Sequence, residues 1–246
     1  MSKLTEPIFA ADTIGSYTFE EFMRVAAAFH GTASPGLMLG AFMVEAVRAA
    51  LPSGILFDAV VETMKCLPDA VQLLTPPSYG NGWMQVINLG RFAVSLYDKH
   101  TGEGFRAWLD PQGLDAWPEI HSWYLKTKRK KDQDRERLFA EIKAAGRGVC
   151  RVAAVRIRPD RLGRPPMGAT GICPKCGEGY PLADGDVCRG CSGQSPYVAQ
   201  AVVRPGIAAG TMGKTAAKSS RPVDRTVCHT CRVCAYPHCP SGKPSP

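Results

Sequence analysis

Long apolar runs are missing from this chain of 246 residues. The uncharged stretch over residues 31–44 falls well short of the roughly 20 apolar residues that a membrane span needs, and Pro35 interrupts it. A secretory signal peptide is not indicated either, because no apolar segment follows Lys3 and because Glu6 and Asp12 lie where that segment would be. The sequence therefore predicts a cytoplasmic protein with no membrane contact.

Acidic and aromatic residues are both scarce. The chain has 22 Asp and Glu against 30 Lys and Arg, and aromatic residues make up 8% of it. The net charge of +8 is concentrated in residues 126–131 and in the part of the chain beyond Ala201. Basic segments of this kind suit nucleic acid or an acidic partner, but they are more often solvated surface, and few aromatic rings are interleaved here to stack on bases. Nucleic-acid binding is therefore kept as an alternative.

Cysteine is almost absent from the first two-thirds of the chain, where only Cys66 and Cys150 occur. The other eight cysteines fall into two tight groups in the last third. In a reducing compartment, such groups are typical of metal ligands rather than of disulfide pairs. The sequence thus predicts a protein whose secure metal chemistry lies near its C-terminus.

The first cysteine group has the spacing of a zinc site. Each of its two C-x-x-C pairs places two thiolates on one tight turn, and four thiolates close a tetrahedral Zn²⁺ site. Such a site is structural, because binding of the metal folds the module. We therefore predict a small treble-clef or zinc-ribbon finger over residues 167–199. Its zinc ligands are Cys173, Cys176, Cys188 and Cys191.

The second group has the more open spacing C-x2-C-x2-C-x4-C-P. That spacing is close to the bacterial ferredoxin run, whose last gap is three residues, so it suits a [4Fe–4S] cluster. It suits a second zinc equally well, with His229 or His238 as a spare ligand. The residues alone do not choose between the two metals. The candidate ligands are Cys228, Cys231, Cys234 and Cys239.

Hydrophobic periodicity over residues 1–160 predicts an α+β core domain in which helices pack on an antiparallel sheet. Three successive strand-like segments with hairpin-like turns indicate a local meander, not alternating β–α–β units. A basic, flexible linker over 200–226 is too poor in apolar residues to fold alone, and it precedes the C-terminal cluster at 227–246. The predicted helices cover 18–28, 37–51, 68–74, 115–124 and 132–145, and the predicted strands cover 55–64, 84–88, 92–97, 104–109 and 149–157.

A turn rich in glycine and proline joins the first two predicted helices and carries a candidate core pocket. Its polar side chains are those of His30, Thr32 and Ser34, at the start of a helix whose free backbone N–H groups can hold an anion. Cys66 and Asp69 lie at a second chain break and are included with them. A lone histidine at a helix end is more often structural than a ligand, so the residues alone leave the role of this pocket open.

Three separated motifs resemble those of the E-subunit family of formylmethanofuran dehydrogenase. Residues 29–40 are similar to that family's FHGHxCPGxxLG signature, residues 62–72 to its ETxxCxxDxxQ block, and residues 75–82 to its TGCTxGKG loop. The four-cysteine group matches the zinc finger appended to the family's core. The resemblance implies an α+β core with a pocket for metal or substrate, a treble-clef-like finger and a homodimer. It also implies association with the molybdenum or tungsten enzyme that reduces CO₂ onto methanofuran.

The chain departs from the family pattern at the soft ligands. Thr32 stands at the second histidine of the signature, Ser34 at its cysteine, Pro77 at the loop cysteine and Asn81 at the loop lysine. A serine hydroxyl is rarely deprotonated at neutral pH and is a poorer ligand for zinc or iron than a thiolate. We therefore expect the core metal site to be lost or rebuilt with weaker ligands.

Three functions follow, in this order. The first is a metal-binding accessory protein that works with a molybdenum or tungsten oxidoreductase or with the supply of its metal or cofactor. The second is a non-catalytic zinc-finger interaction or regulatory protein that binds protein or nucleic acid through its basic C-terminal part. The third is an independent enzyme that uses His30 as acid or base, ranked last because no carboxylate pairs with His30 in the sequence.

Overall fold

The computed structural model of the chain describes residues 13–163 and 168–198. The chain divides into two compact units, of which the first ends at Ala169 and the second begins at Thr170. The linker at 200–226 and the C-terminal cluster at 227–246 lie outside the described residues. The metal roles of Cys228, Cys231, Cys234 and Cys239 therefore stay predictions.

Helix α1 (Phe19–His30) begins at a capping box, as its sequence predicts. The backbone N–H of Thr18 donates to Glu21 Oε2 at 2.8 Å, and the backbone N–H of Glu21 donates to Thr18 Oγ1 at 3.3 Å. None of the helices in the described residues is long and apolar enough to cross a membrane. The other α-helices of the first unit are α2 (Pro35–Ala50), α3 (Leu67–Leu74), α4 (Pro118–Leu125) and α5 (Arg135–Ala145), with single 3₁₀ turns at Gln112–Leu114, Lys130–Asp132, Gly146–Val149 and Pro159–Arg161.

A five-stranded sheet forms the other layer of this unit, in the order β4-β3-β5-β6-β7. A two-stranded ribbon, β1 (Thr13–Ile14) with β2 (Tyr17–Thr18), precedes α1. The α+β class is confirmed. The strands of the main sheet are β3 (Phe57–Val61), β4 (Met84–Val86), β5 (Ala93–Asp98), β6 (Glu103–Leu109) and β7 (Cys150–Arg156).

One predicted hairpin is wrong, because β4 does not pair with β5. It pairs in parallel with β3, with Ala59 opposite Met84, and so lies at one edge of the sheet. The reason is that α3 and the loop after it carry the chain back to the start of β3, and a crossover that contains a helix returns its strand parallel. The pairs β3–β5, β5–β6 and β6–β7 are antiparallel, so the meander begins at β5.

Helix α2 is the centre of the core. It contacts α1, α3, α5 and strands β5, β6 and β7, and its residues 36–44 are all buried, which explains why that stretch carries no charge. Its approach to α3 is close, because a Cβ built on Gly40 would lie 2.8 Å from Leu67 Cδ1 and 3.2 Å from Ala70 Cβ. Glycine at position 40 therefore lets α3 lie directly against the central helix, which brings the start of α3 near the start of α2.

The second unit is small and built around its cysteines. Strands β8 (Thr170–Ile172) and β9 (Gly179–Pro181) pair antiparallel, and one-turn helical segments follow at Leu182–Asp184 and Gly190–Gln194. Gly177 has a φ of +78°, which a tight turn after a C-x-x-C pair requires. Tyr180 is buried and its hydroxyl donates to the Gly185 carbonyl at 2.9 Å, so its ring packs within the unit.

Candidate functional site

The sulfur atoms of the four finger cysteines converge in the second unit. All four Sγ atoms lie within 4.8 Å of one another, and those of Cys176 and Cys188 are 3.7 Å apart. Four thiolates held about 2.3 Å from one zinc ion lie at similar mutual distances, so the donor set fits a closed Zn²⁺ site. This is the one cluster of three or more convergent His, Cys, Asp or Glu ligands among the described residues.

Backbone amides prepare these sulfurs for a cation. The N–H of Cys188 donates to Cys173 Sγ at 3.5 Å, and the N–H groups of Cys188 and then Cys176 lower the pKa of Cys173 to about 6. The opposite shift occurs at Cys191, whose hydrogen bond to Cys188 and whose burial raise its pKa to about 12. One thiolate is therefore present at neutral pH, while the others lose their protons when a cation neutralises the cluster.

The core pocket is built by the ends of three helices of the first unit. His30 ends α1, Ser34 caps α2, and Cys66 and Asp69 lie at the start of α3. His30 Nδ1 lies 2.6 Å from Asp69 Oδ2, and His30 Nε2 lies 3.8 Å from Cys66 Sγ. The Ser34 hydroxyl donates to Cys66 Sγ at 3.4 Å. The structure thus joins four of the five predicted residues in one network.

Thr32 is the predicted pocket residue that the structure leaves out. Its side chain is exposed, and it lines a separate surface depression with Glu20, Arg24 and Arg135. The turn after Gly31 directs the chain so that position 34, not position 32, reaches the start of α3. Proximity in sequence to His30 was the only signal for including Thr32.

The backbone at Cys66 is unusual. Its φ of +54° is uncommon for a residue other than glycine, and the N–H of Leu67 donates to the Lys65 carbonyl at 2.5 Å across it. Gly36 permits this turn to approach α2, because a Cβ at position 36 would lie 3.2 Å from both Cβ and Sγ of Cys66. The cysteine is therefore held out of an ordinary conformation by the packing of α2 on α3.

The block over residues 62–72 is a continuous chain of hydrogen bonds behind His30. Gln72 Nε2 donates to Asp69 Oδ1 at 3.4 Å, and Gln72 Oε1 accepts the backbone N–H of Tyr79 at 3.1 Å. Asn81, which stands at the family's loop lysine, accepts the backbone N–H groups of Ser78 and Trp83 and shapes the loop. These contacts fix the carboxylate that orients the His30 ring.

A cavity of about 730 Å³ opens beside Ser34 and Cys66. Its walls carry five cationic side chains and four aromatic ones, and no carboxylate is among the described residues that line it. Sequence reasoning missed this cavity, because its basic residues come from segments up to 65 positions apart and share no motif. The cations are Lys65, Arg91, Arg106, Lys126 and Lys130, and the aromatic residues are Phe92, Trp108, Trp123 and Tyr124.

Glu62 holds two of these cations in place from behind the wall. Both Arg106 nitrogens Nε and Nη2 donate to its carboxylate, at 2.6 and 2.9 Å, and Arg91 Nε lies 2.6 Å from it. Burial alone would raise the pKa of Glu62, but the hydrogen bonds and charges of Arg106 and Arg91 outweigh burial and lower it. One carboxylate faces two guanidinium groups, so the wall keeps a net positive charge.

Lys126 carries the second unusual backbone. Its φ is +60°, and Cys66 and Lys126 are the two non-glycine residues with positive φ among those described. Both line the same cavity. Lys126 Nζ donates to the Trp123 carbonyl at 2.7 Å and lies 4.4 Å from the centre of the Trp123 ring. Burial and then the charge of Lys65 lower the pKa of Lys126, as expected for cations gathered around one cavity.

The core network, as far as its described residues go, does not offer a complete set of soft ligands. His30 and Cys66 supply one nitrogen and one sulfur, Asp69 is turned to His30 Nδ1, and Ser34 contributes only a hydroxyl. A closed metal site needs four ligands, and its catalytic form still uses three from the protein. The geometry agrees with the weakened core site expected from Ser34 in place of a thiolate.

Comparison with known proteins places this architecture. Residues 29–157 match the family model described as FmdE, molybdenum formylmethanofuran dehydrogenase operon, and residues 164–198 match the FmdE treble clef zinc finger. Among solved structures, the chain is similar to the crystal structure of an FmdE-like protein of tungsten formylmethanofuran dehydrogenase from Syntrophus aciditrophicus, at 47% identity and a TM-score of 0.71. That match covers 77% of this chain and 100% of the other. No curated protein gives a match. The chain belongs to the FmdE family and carries both its core domain and its treble-clef zinc finger.

Proposed function

We propose that this FmdE-family chain is a metal-binding accessory protein that holds an anionic cargo for a molybdenum or tungsten oxidoreductase, or for the supply of that enzyme's metal or cofactor. The observation that carries the proposal is the ring of five cations around the 730 Å³ cavity, without a lining carboxylate among the described residues. Molybdate, tungstate and phosphate-bearing cofactors are all anions. Arginine and lysine bind such oxyanions by charge-assisted hydrogen bonds.

The aromatic walls add a second requirement to the cargo. Arg106 stacks over the Trp108 ring at 5.1 Å, and Phe92 meets Trp123 edge to face with 6.1 Å between ring centres. Flat rings beside cations suit a cargo with a planar organic part as well as an anionic group. The zinc finger supports a role in assembly, because a closed four-thiolate site is structural and not catalytic.

The alternative of a nucleic-acid-binding module has less support. Part of the basic run is already neutralised, since Lys128 Nζ lies 2.6 Å from Glu119 Oε1 and Arg129 Nε lies 2.7 Å from Asp132 Oδ2. The remaining cations of the run that face the cavity, Lys126 and Lys130, are committed to a concave site. A concave site suits a small ligand better than a nucleic-acid backbone.

Equilibrium dialysis with molybdate and with tungstate, read by elemental analysis, tests the proposal. We expect saturable binding that sulfate at equal concentration displaces incompletely. The Lys130→Glu variant should weaken binding by roughly tenfold, about 1.4 kcal/mol. Lys131→Glu is the matched control, because Lys131 is adjacent in sequence but does not line the cavity.

Two results would contradict the proposal. One is an equal loss of affinity in the Lys130→Glu and Lys131→Glu variants, which would indicate only the general charge of the surface. The other is the absence of saturable uptake for both oxyanions and for a phosphate-bearing pterin. Association with the oxidoreductase is tested separately, by purification of the full chain from its native cells and identification of any molybdenum or tungsten enzyme that is bound to it.

A further inference from the structure

Cys66 is the one group of the core network whose chemistry an anion carrier does not use. A cysteine becomes a nucleophile when a base within reach takes its proton and a third group orients that base. Cys66, His30 and Asp69 have this arrangement, with 3.8 Å from Sγ to Nε2 and 2.6 Å from Nδ1 to the carboxylate. The sulfur-to-nitrogen distance is at the long end, as is common before substrate binds.

The histidine can act in only one orientation. Its Nδ1–H donates to Asp69, so Nε2 is the nitrogen left to face the sulfur. Asp69 is itself held by Gln72. Sequence order ranked an enzyme last because no carboxylate lay beside His30, but the packing of α3 against α1 supplies one from 39 positions away. That reason for the ranking no longer holds.

The cysteine is also accessible and supported on its other side. Cys66 is partly exposed and lines the cavity, and the Ser34 hydroxyl donates to its sulfur, a bond that favours the thiolate. Cys150 is the contrasting case in the same unit. Burial raises the pKa of Cys150 to about 12, and Cys150 does not line this cavity. A thiol at position 66 can therefore meet a substrate that a thiol at position 150 cannot.

We propose that Cys66 and His30, oriented by Asp69, transfer the acyl group of an anionic ester or thioester bound in the cationic cavity. The sulfur attacks the carbonyl carbon, the bond to the leaving oxygen or sulfur breaks, and the leaving group takes the Cys66 proton through His30. Water, whose proton passes to His30, then attacks the enzyme thioester and releases the carboxylic acid and the Cys66 thiol. No oxidant or reductant is needed. The preference for anionic acyl groups rests on the proposed function of the cavity, whereas the reaction at Cys66 does not.

Alkylation by iodoacetamide tests the nucleophile itself. Modification is located by peptide mass spectrometry on the full chain, and Cys150 serves as the internal control, expected to stay unmodified. We expect His30→Gln to slow alkylation of Cys66 by at least about tenfold and Asp69→Asn to slow it by less. Circular dichroism checks that each variant is folded. Alkylation of Cys66 at the rate of glutathione, unchanged by His30→Gln, would overturn the proposal.

Acyl transfer is tested with a neutral and an anionic ester, 4-nitrophenyl acetate and mono-4-nitrophenyl succinate. We expect a stoichiometric burst of 4-nitrophenolate with both, an acyl adduct at Cys66, and faster reaction with succinate. Cys66→Ser should abolish the burst, and Lys130→Glu should lower the ratio of the succinate to the acetate rate, whereas Lys131→Glu should not. No burst with either ester overturns the acyl chemistry and leaves anion binding standing. A burst without preference for succinate overturns the cargo preference alone.

Discussion

Glu62 illustrates at the residue scale how a charge is kept inside this fold. Its side chain is 6% exposed, and three short contacts from Arg106 and Arg91 replace the water that it gives up. A buried carboxylate is tolerated only when it is paired and hydrogen-bonded in this way. The pair also positions two of the five cavity cations, so stability and cargo binding share one residue.

Replacement of Glu62 by Gln should therefore be costly at neutral pH. We expect a loss of about 2–3 kcal/mol in the free energy of unfolding, below the upper range for buried pairs because Arg91 is half exposed. The folded-state pKa of Glu62 is lowered, so its contribution is complete above the unfolded pKa of about 4.3 and is lost as pH falls through the lower folded value. The difference between variant and wild type should thus shrink below about pH 4.

Urea unfolding at a series of pH values measures this difference. Glu103→Gln is the matched control, because Glu103 pairs with Arg156 on the surface and both side chains are mostly exposed. Its effect should be within about 0.5 kcal/mol. A Glu62→Gln loss that stays constant down to pH 3 would contradict the linkage.

At the element scale, the contact between α2 and α3 decides whether the core network exists. Gly36 and Gly40 lie one turn apart on α2 and face Cys66 and Leu67, respectively. Nothing larger than glycine fits at either position without displacing α3. Since α3 carries Cys66 and Asp69, its distance from α2 also sets the distance from these two side chains to Ser34 and His30.

Enlarging the side chain at position 40 should separate the two helices. We expect Gly40→Val to lower the free energy of unfolding by about 2–3 kcal/mol, and Gly40→Ala by less, because alanine recovers about 1 kcal/mol of helix propensity. Ala49→Val is the control, since Ala49 is exposed on the same helix and pays only the propensity cost of about 0.5 kcal/mol. Thermal unfolding measures all three, and a Gly40→Val value equal to that of Ala49→Val would show that α3 is not pressed on α2.

Much of the element pattern was predictable from the sequence, and the exceptions have physical causes. The capping box at Thr18, the uncharged α2 and the strands that became β5, β6 and β7 follow from local periodicity. The parallel pairing of β4 did not, because it depends on where α3 sends the chain. Neither did the His30–Asp69 contact nor the cationic cavity, since both arise only when distant segments pack together.

At the scale of the whole molecule, metal content is the first quantity to measure. We expect protein purified without oxygen to hold one zinc per chain in the finger, and Cys176→Ser to lose it, whereas Cys150→Ser keeps it. The C-terminal cysteines predict either a second zinc or iron with absorption near about 400 nm. Elemental analysis with visible spectroscopy distinguishes them. A chain without zinc that remains folded in its second unit would contradict the finger prediction.

The predicted homodimer is also a property of the whole molecule. Strand β7 is an edge of the sheet, and its residues 151–154 are exposed, with Val152 at 39%. An exposed edge strand with apolar side chains is a ready surface for a second copy. We expect light scattering to give twice the chain mass, and Val152→Asp to shift the mass toward the monomer. A wild-type mass equal to one chain would contradict the prediction.

The two left-handed residues have a consequence for how this chain tolerates change. A side chain in that backbone region costs roughly 1 kcal/mol or more, and glycine would adopt the same turn without that penalty. Under laboratory selection for folding alone, glycine should therefore replace Lys126 and Cys66 readily, and with them would go a cavity cation and the only thiol among the described residues of its wall. Selection that also demands binding or acyl transfer should keep both side chains. The pattern of surviving substitutions at these two positions would thus report which property the cavity supplies to the cell.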